Sequence, residues 1–364
     1  MDVLSEVLRV VRLSGAIHFR AEFSHPWAIV SSPPEMLAGR LFPGAEAVTP
    51  FHIATRGTCF LSWGSVAPIM LEAGDVVVFA RGTQHVLASA PGIAPVPIKD
   101  IYRPAADHVT VLQHGGSGPE SRFICGFLHS DQRFAPLLDA VPSLICMRVR
   151  DGALILESYT ESGRHAKPMR LEEPPHFWQA AVSQLVQEAS GTHSGNRALL
   201  ARLSELLFLE VLRWQLAYLG GANTGWLAGL SDPHVGRTLS LMHGDPARGW
   251  TVDDLARESG MSRAALAKRF VELVGQSPIQ YLASWRMHLA RSLLRESNIA
   301  IAQLAAQVGY QSEAAFSRAF RRTVGMPPAA WRHASDGSLR PEHAALAGER
   351  QRNASMRQTT KTGA

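Results

Sequence analysis

Between residues 15 and 130 the apolar positions come in short runs rich in β-branched and aromatic side chains: AIHFRAEF, AVTPFHIA, TCFLSW, DVVVFA, HVLAS, HVTVLQH and SRFICGFL. Turn segments such as SSPP, FPGAE, EAGD, ARGT and APGIAPVP separate them. Many short strands with frequent Gly/Pro turns predict a sandwich or barrel. From 175 to 219 the period lengthens to that of a helix, in PPHFWQAAVSQLVQEAS and NRALLARLSELLFLEVLRWQLAYL. Leu199, Leu203, Leu206, Leu207, Glu210, Val211 and Trp214 lie along a stripe there. Pro174 and Pro175 open the first of these helices, and Gly220–Gly221 close the second. GGANTGWLAGL, 220–230, reads as a linker, 231–333 as helical throughout, and the tail from 334 as lacking a core pattern and disordered.

The helical C-terminal third contains a repeat. DLARESGMSRAALAKRFVELVGQSPIQYL (254–282) lies over QLAAQVGYQSEAAFSRAFRRTVGMPPAAW (303–331). Leu255, Ala256 and Gly260 match Leu304, Ala305 and Gly309 at an offset of 49. Leu266, Phe270, Gly275, Pro278 and Tyr281 then match Phe316, Phe320, Gly325, Pro328 and Trp331 at an offset of 50. Each copy has a short helix with an inward Leu-Ala, a Gly turn, a Ser placed to cap (Ser262, Ser312) and a helix carrying an i, i+4 apolar pair. That is the grammar of a helix-turn-helix. Gly260 and Gly309 sit where a helix ends in a left-handed residue.

Opposite the apolar pair, the second helix of each copy presents Arg263, Ala264, Ala267 and Lys268, or Glu313, Ala314, Ser317 and Arg318. Arginine pairs with guanine through two hydrogen bonds, and small side chains let a helix approach the groove floor. These eight positions are expected to face base edges, while Arg321 and Arg322, further along, are expected to hold phosphate. Residues 279–296, between the copies, have no interior Gly or Pro. As one helix they would span about 27 Å at 1.5 Å per residue, near the ~34 Å separating major-groove faces one turn apart.

Charge sharpens this picture. Residues 250–333 carry eleven Lys/Arg against six Asp/Glu, whereas 1–249 carry twenty against twenty-two. The net +5 of the 364-residue chain therefore resides in its C-terminal part, as expected for a nucleic-acid-binding domain attached to another domain. The length predicts two or three domains. Three cysteines, Cys59, Cys125 and Cys146, without CxxC spacing, argue against a zinc ribbon or a disulfide framework and for a reducing compartment. The amphipathic N-terminus does not read as a signal peptide, and no apolar run suits a membrane span. A cytoplasmic protein without a membrane partner is expected.

The stretch 262–332 resembles the C-terminal DNA-binding domain of AraC/XylS-type transcription regulators, with the likeness reaching over about 235–333. The N-terminal part is similar to the cupin-type regulatory domain of one branch of that family. It does so through GAIHFRAEFSHPWAI, FHIATRG, EAGDVVVFARGTQHVL, FICGFL and LLDAVPSLI. The resemblance implies an α+β multidomain protein: a cupin-like sensory β-barrel at 1–150, a helical dimerisation or connector segment at 151–220, a linker at 221–231, an all-α double helix-turn-helix domain at 232–333 and a disordered tail at 334–364. It further implies an effector-responsive regulator of transcription, activator or repressor, acting as a homodimer on double-stranded promoter DNA. RNA polymerase and a small-molecule effector are its other expected partners.

The alternative is a metal-dependent cupin enzyme fused to a DNA-binding domain. Gly74, Gly82 and His85 keep the spacing of the second cupin motif, although Ala80 replaces its proline. In the first motif His52 is present, but Ala54 stands where a second histidine belongs, and no glutamate follows at ligand spacing. Two histidines are few for a metal centre, although His108, His114, His129 and Cys125 could add donors. No cofactor and no catalytic set are therefore expected. His52 and His85 remain weak metal candidates, and otherwise effector contacts or hydrogen-bonded barrel residues. Trp27, Trp63 and Phe60 either line an effector pocket or belong to the core. Arg81 either meets an acidic effector or is solvated. The stripe through Leu203, Leu207 and Val211 either forms a dimer seam or packs on the barrel.

Overall fold

The structure, a computed structural model, describes residues 2–33, 36, 41–42, 44–103, 109–161, 163–164, 167–172, 176–191, 193–219 and 225–338. The chain forms two compact units. The first comprises Met1–Gly244 with Thr251–Pro278; the second comprises Asp245–Trp250 with Ile279 onward.

The first unit opens with helix α1 (Val3–Val11), capped by Asp2, whose carboxylate accepts from the Ser5 N–H at 3.1 Å. Two sheets follow. The larger is built from β1 (Ser14–Ser24), β3 (Ala47–Arg56), β6 (Val76–Val78), β9 (Thr110–Gly115), β10 (Glu120–Ser130), β11 (Leu144–Arg150), β12 (Ala153–Thr160), β13 (Gly163–Arg164) and β14 (Met169–Leu171). Its strand order is β13-β12-β11-β6-β3-β10-β1-β9, with β14 also paired to β12. The smaller sheet runs β5-β4-β7-β2-β8, from β2 (Ala28–Val30), β4 (Thr58–Trp63), β5 (Val66–Glu72), β7 (Val86–Ala88) and β8 (Val96–Pro97). Short helix α2 (Ile98–Ile101) follows β8, and α3 (Ala135–Ala140) follows β10. Most pairs are antiparallel; β1 with β9 and β2 with β8 run parallel.

The two sheets enclose the core. Alternate residues of β1 (Phe19, Ala21, Phe23) and β10 (Phe123, Cys125) meet Ile29, Cys59, Leu61, Trp63, Leu71 and Leu87 of the smaller sheet. The outer face of the large sheet is covered as well. Phe51, Ile53, Val76, Val78 and Met147 project toward Trp178 of α4 (His176–Ser190) and Leu207, Phe208 and Val211 of α5 (Asn196–Leu219). With both faces covered, β3 is buried almost end to end instead of alternating.

Two segments differ from the sequence reading. The region 151–220 opens with strands β12 to β14 before its helices begin. Within the stretch read as a linker, Trp226–Ser231 forms helix α6, with Trp226 and Leu227 buried and the Trp226 ring edge-on to Phe134 at 5.5 Å. Gly229 of α6 lies against Leu273 and Val274. Local composition, rich in Gly and Ala, hides a helix held by tertiary packing. Residues 220–224 lie outside the described residues, as does the tail from 339; residues 334–338 complete the last helix.

Candidate DNA-reading helices and the barrel cavity

The first helix-turn-helix consists of α7 (Pro233–Gly244), α8 (Val252–Ser259) and α9 (Arg263–Val274). Thr251 and Asp254 cap α8 reciprocally: the Asp254 N–H donates to Thr251 Oγ1 at 3.1 Å, and the Thr251 N–H donates to the Asp254 carboxylate at 3.3 Å. Gly260 ends α8 at φ 74°. Ser262 caps α9, accepting from the Ala265 N–H at 3.3 Å. Leu266 and Phe270 are fully buried, while Arg263, Ala264 and Lys268 are exposed and Ala267 is half-buried.

The second unit repeats this plan with α10 (Pro278–Glu296), whose first residue closes the first unit, α11 (Ile301–Gln307), α12 (Glu313–Val324) and α13 (Pro328–Ser338). Ser312 caps α12, accepting from the Ala315 N–H at 3.2 Å. Phe316 and Phe320 are fully buried and pack at 5.6 Å between ring centres, with Tyr310 and Trp331 beside them. Glu313, Ala314, Arg318, Arg321 and Arg322 are exposed and Ser317 is half-buried. The phenylalanines anchor the helix to its unit, and the arginines stand on the free side. Gly309, at φ 86°, is required twice over: a Cβ there would stand 2.7 Å from both the Ala247 carbonyl and the Arg286 guanidinium. Arg286 draws residues 245–250 into this unit by donating to the Pro246 and Arg248 carbonyls at 2.7 and 2.9 Å.

The cations of the two copies differ in their surroundings. Arg263 pairs with Asp253 at 2.9 Å, Lys268 with Glu272 at 3.9 Å and Arg269 with Asp232 at 3.1 Å. Arg318, Arg321 and Arg322 have no carboxylate partner among the described residues. The sequence reading missed Asp253 and Asp232 as partners because neither shares the helix face that periodicity identifies.

In the barrel, His52 and His85 come together on a cavity between the sheets with about 530 Å3 of unfilled space, part of it continuous with solvent. Phe19, Phe23, Phe123 and Phe127 supply much of the wall. The two Nε2 atoms stand 2.7 Å apart, and His52 Nδ1 lies 2.9 Å from Cys125 Sγ. His85 Nδ1 lies 3.0 Å from the Thr83 carbonyl. Since a carbonyl only accepts, His85 carries its proton on Nδ1 and accepts at Nε2. His52 must then donate from Nε2, leaving its Nδ1 to accept from the Cys125 thiol. Burial pushes His85 down to about 4, and burial, with His85 close by, holds His52 well below the usual imidazole range. Burial likewise raises the Cys125 thiol. The chain of three groups is uncharged throughout.

This arrangement does not fit a metal ion. Two histidine nitrogens at ~2.0–2.1 Å on one tetrahedral ion would stand about 3.3 Å apart, and Cys125 lies on the far side of the His52 ring from His85. Among the described residues no three His, Cys, Asp or Glu side chains gather as a metal-holding group. His114 packs edge-on to Phe23 and His129 stacks on Phe42, away from the pair; His108 lies outside the described residues.

The structure decides between three further pairs of alternatives. Trp27 and Trp63 are not among the cavity-lining residues; both are buried in the surrounding core, where Trp27 packs on Phe23 and Phe123. Arg81 donates to the Asp139 carbonyl at 2.9 Å at the surface. Leu207 and Val211 pack on the barrel, and it is Leu199 and Leu206, on the other side of α5, that are exposed. No described helix is long and apolar enough to cross a membrane.

A ligand-sensing cupin barrel joined to paired helix-turn-helix motifs with basic outer faces defines a DNA-binding transcription regulator. Comparison with known proteins agrees: a cupin family model matches residues 2–160, and a helix-turn-helix domain model matches 255–334. An AraC-like transcription regulator of Streptomyces lividans is 32% identical over 91% of this chain and 98% of its own length. One from Streptomyces antibioticus is 31% identical over 91% and 98%, and the HTH-type transcriptional regulator AlkR of Acinetobacter baylyi is 26% identical over 92% and 100%. The chain belongs to the AraC-like family of transcription regulators.

Proposed function

We propose that this regulator reads two successive major-groove segments of one promoter duplex, α9 entering one and α12 the other. The observation that carries the reading is the pair of serine-capped helices, each anchored by two buried apolar side chains and each presenting small and cationic residues outward. Arg263, Ala264, Ala267 and Lys268 of α9, with Glu313, Ala314, Ser317 and Arg318 of α12, meet base edges; Arg321 and Arg322 hold phosphate. The 19 residues of α10, about 28 Å of helix at 1.5 Å per residue, support a spacing near one DNA turn.

The protein acts in the cytoplasm as an effector-responsive regulator that engages RNA polymerase, and its barrel senses and does not catalyse. It works as a homodimer through the outer face of α5. Laid antiparallel about Leu206, two copies of this helix place Arg202 of each opposite Glu210 of the other, around Leu199, Leu203 and Leu206. Leu206→Glu is expected to convert a dimer to a monomer in light scattering. Selection of bound genomic fragments with the purified full chain tests the main reading. A shared motif with two half-elements about one turn apart is expected, and recovery of random fragments would refute it.

A further inference from the structure

The barrel cavity has a composition that selects its occupant. Among the described residues that line it there is no Lys, Arg, Asp or Glu. The polar side chains among those residues are Ser31, Ser32, His52, His85 and Cys125, and three of these are already committed to one another. The Cys125 thiol donates to His52, His52 donates to His85, and His85 donates to the Thr83 carbonyl. Ser31 Oγ accepts from the His85 N–H at 2.9 Å. Among the described lining residues, the hydroxyls of Ser31 and Ser32 are what remains for a ligand to address.

We propose that this cavity binds a small, uncharged, largely apolar molecule, aromatic or aliphatic, carrying at most one hydroxyl or carbonyl group. The proposal rests on the reading of the barrel as the sensory domain and specifies what it senses. Of the unfilled space, about 50 Å3 is clear enough for the centre of a water-sized sphere, more than the ~10–15 Å3 that a single water needs, which leaves room for a small guest. An apolar guest gains about 25 cal/mol for each Å2 it removes from water, and it breaks no hydrogen bond on entering. A carboxylate or phosphate would lose its hydration with no cation among the described lining residues to replace it. Protonating a histidine to serve as that cation would disrupt the chain, and burial opposes it. A polyol would find two serine hydroxyls for its many donors and acceptors.

The test uses the full-length protein with toluene, benzoate, benzylammonium and glucose as probes, followed by titration calorimetry and by the thermal unfolding midpoint. Toluene is expected to bind saturably, about tenfold or more tighter than the other three, and to raise the midpoint. Ser32→Phe, at the half-buried mouth, and Ala21→Leu, in the wall, are each expected to weaken toluene about tenfold. The second variant is judged only if its circular dichroism matches the parent, and the mouth variant stands alone otherwise. Benzoate or glucose binding as tightly as toluene, toluene binding untouched by Ser32→Phe, or saturable binding by none of the probes would each overturn the proposal. DNA binding measured on the same preparation separates the two readings. Loss of DNA selectivity with toluene binding intact would sink the regulator reading and leave the cavity assignment standing.

Discussion

The two helix-turn-helix copies follow one grammar, yet their cations lie in different surroundings. In the first copy every cation on or beside the reading face of α9 has a carboxylate: Arg263 has Asp253, Lys268 has Glu272 and Arg269 has Asp232. In the second, Arg318, Arg321 and Arg322 face outward with no such partner among the described residues. Their caps differ too. Thr251 and Asp254 cap α8 reciprocally, whereas Ala300 precedes α11 without a side-chain cap. The contrast implies a division of labour. A guanidinium already paired with carboxylate releases fewer counterions on meeting phosphate, because its partner charge must first be displaced. On the proposed reading, the second copy supplies most of the electrostatic affinity. On the same reading, the first contributes more through the close approach that Ala264 and Ala267 permit.

The largest expected effect tests the common grammar. Phe320→Ala should cost about 3–5 kcal/mol, the usual loss for a fully buried phenylalanine, read as a lower urea midpoint with hydrogen exchange rising over 301–331. DNA binding should fall with it. A cost below ~1 kcal/mol would mean that the small core around Phe316, Phe320 and Trp331 is not what holds α12.

Next comes the contrast itself. Arg318→Ala should lose about 1–3 kcal/mol of discrimination at one or two base pairs. Arg322→Ala should weaken all sequences alike and flatten the salt dependence by about 0.9 in log–log slope. Arg263→Ala should change that slope less than Arg322→Ala does. Equal slope changes in the two copies would erase the proposed division.

Glycine substitutions sharpen the comparison at smaller scale. Gly260→Ala places a Cβ in open space at φ 74°, so it should cost only the left-handed penalty, roughly 1–2 kcal/mol. Gly309→Ala adds collisions with the Ala247 carbonyl and Arg286, and its midpoint should fall further. The smallest effect belongs to Asp253→Asn, which releases Arg263. DNA affinity at low salt should rise by the few tenths of a kcal/mol that an exposed ion pair is worth.

The C-terminal third was legible in the sequence because helix-turn-helix signals are local. Gly260, Ser262, Gly309 and Ser312 mark helix ends by their own chemistry, and the repeat doubles the signal. The strand-rich barrel and its core between two sheets were legible from alternation and turns. Three things were not. Helix α6 owes its existence to Trp226 meeting Phe134, ninety-two positions away in sequence. The orientation of α5 escaped because leucines occupy both its sides, so periodicity could not say whether Leu206 or Leu207 faced the barrel. Trp27 and Trp63 were correctly inward, but alternation reports which side of a strand a residue occupies and not whether a void lies beside it. The pairing of His52 with His85 was half visible in the spacing of Gly74, Gly82 and His85. Cys125 lies opposite His52 in the β3–β10 register, which only the folded sheet reveals.

On the proposed reading, one chain applies two reading helices to one duplex. Hydroxyl-radical footprinting of the full-length protein on a selected fragment, beside Arg318→Ala, tests it most directly. Two protected windows per protomer are expected, about ten base pairs apart on one face of the helix, with the variant weakening one window more than the other. Protection of a single short window, or windows that fade equally, would contradict it.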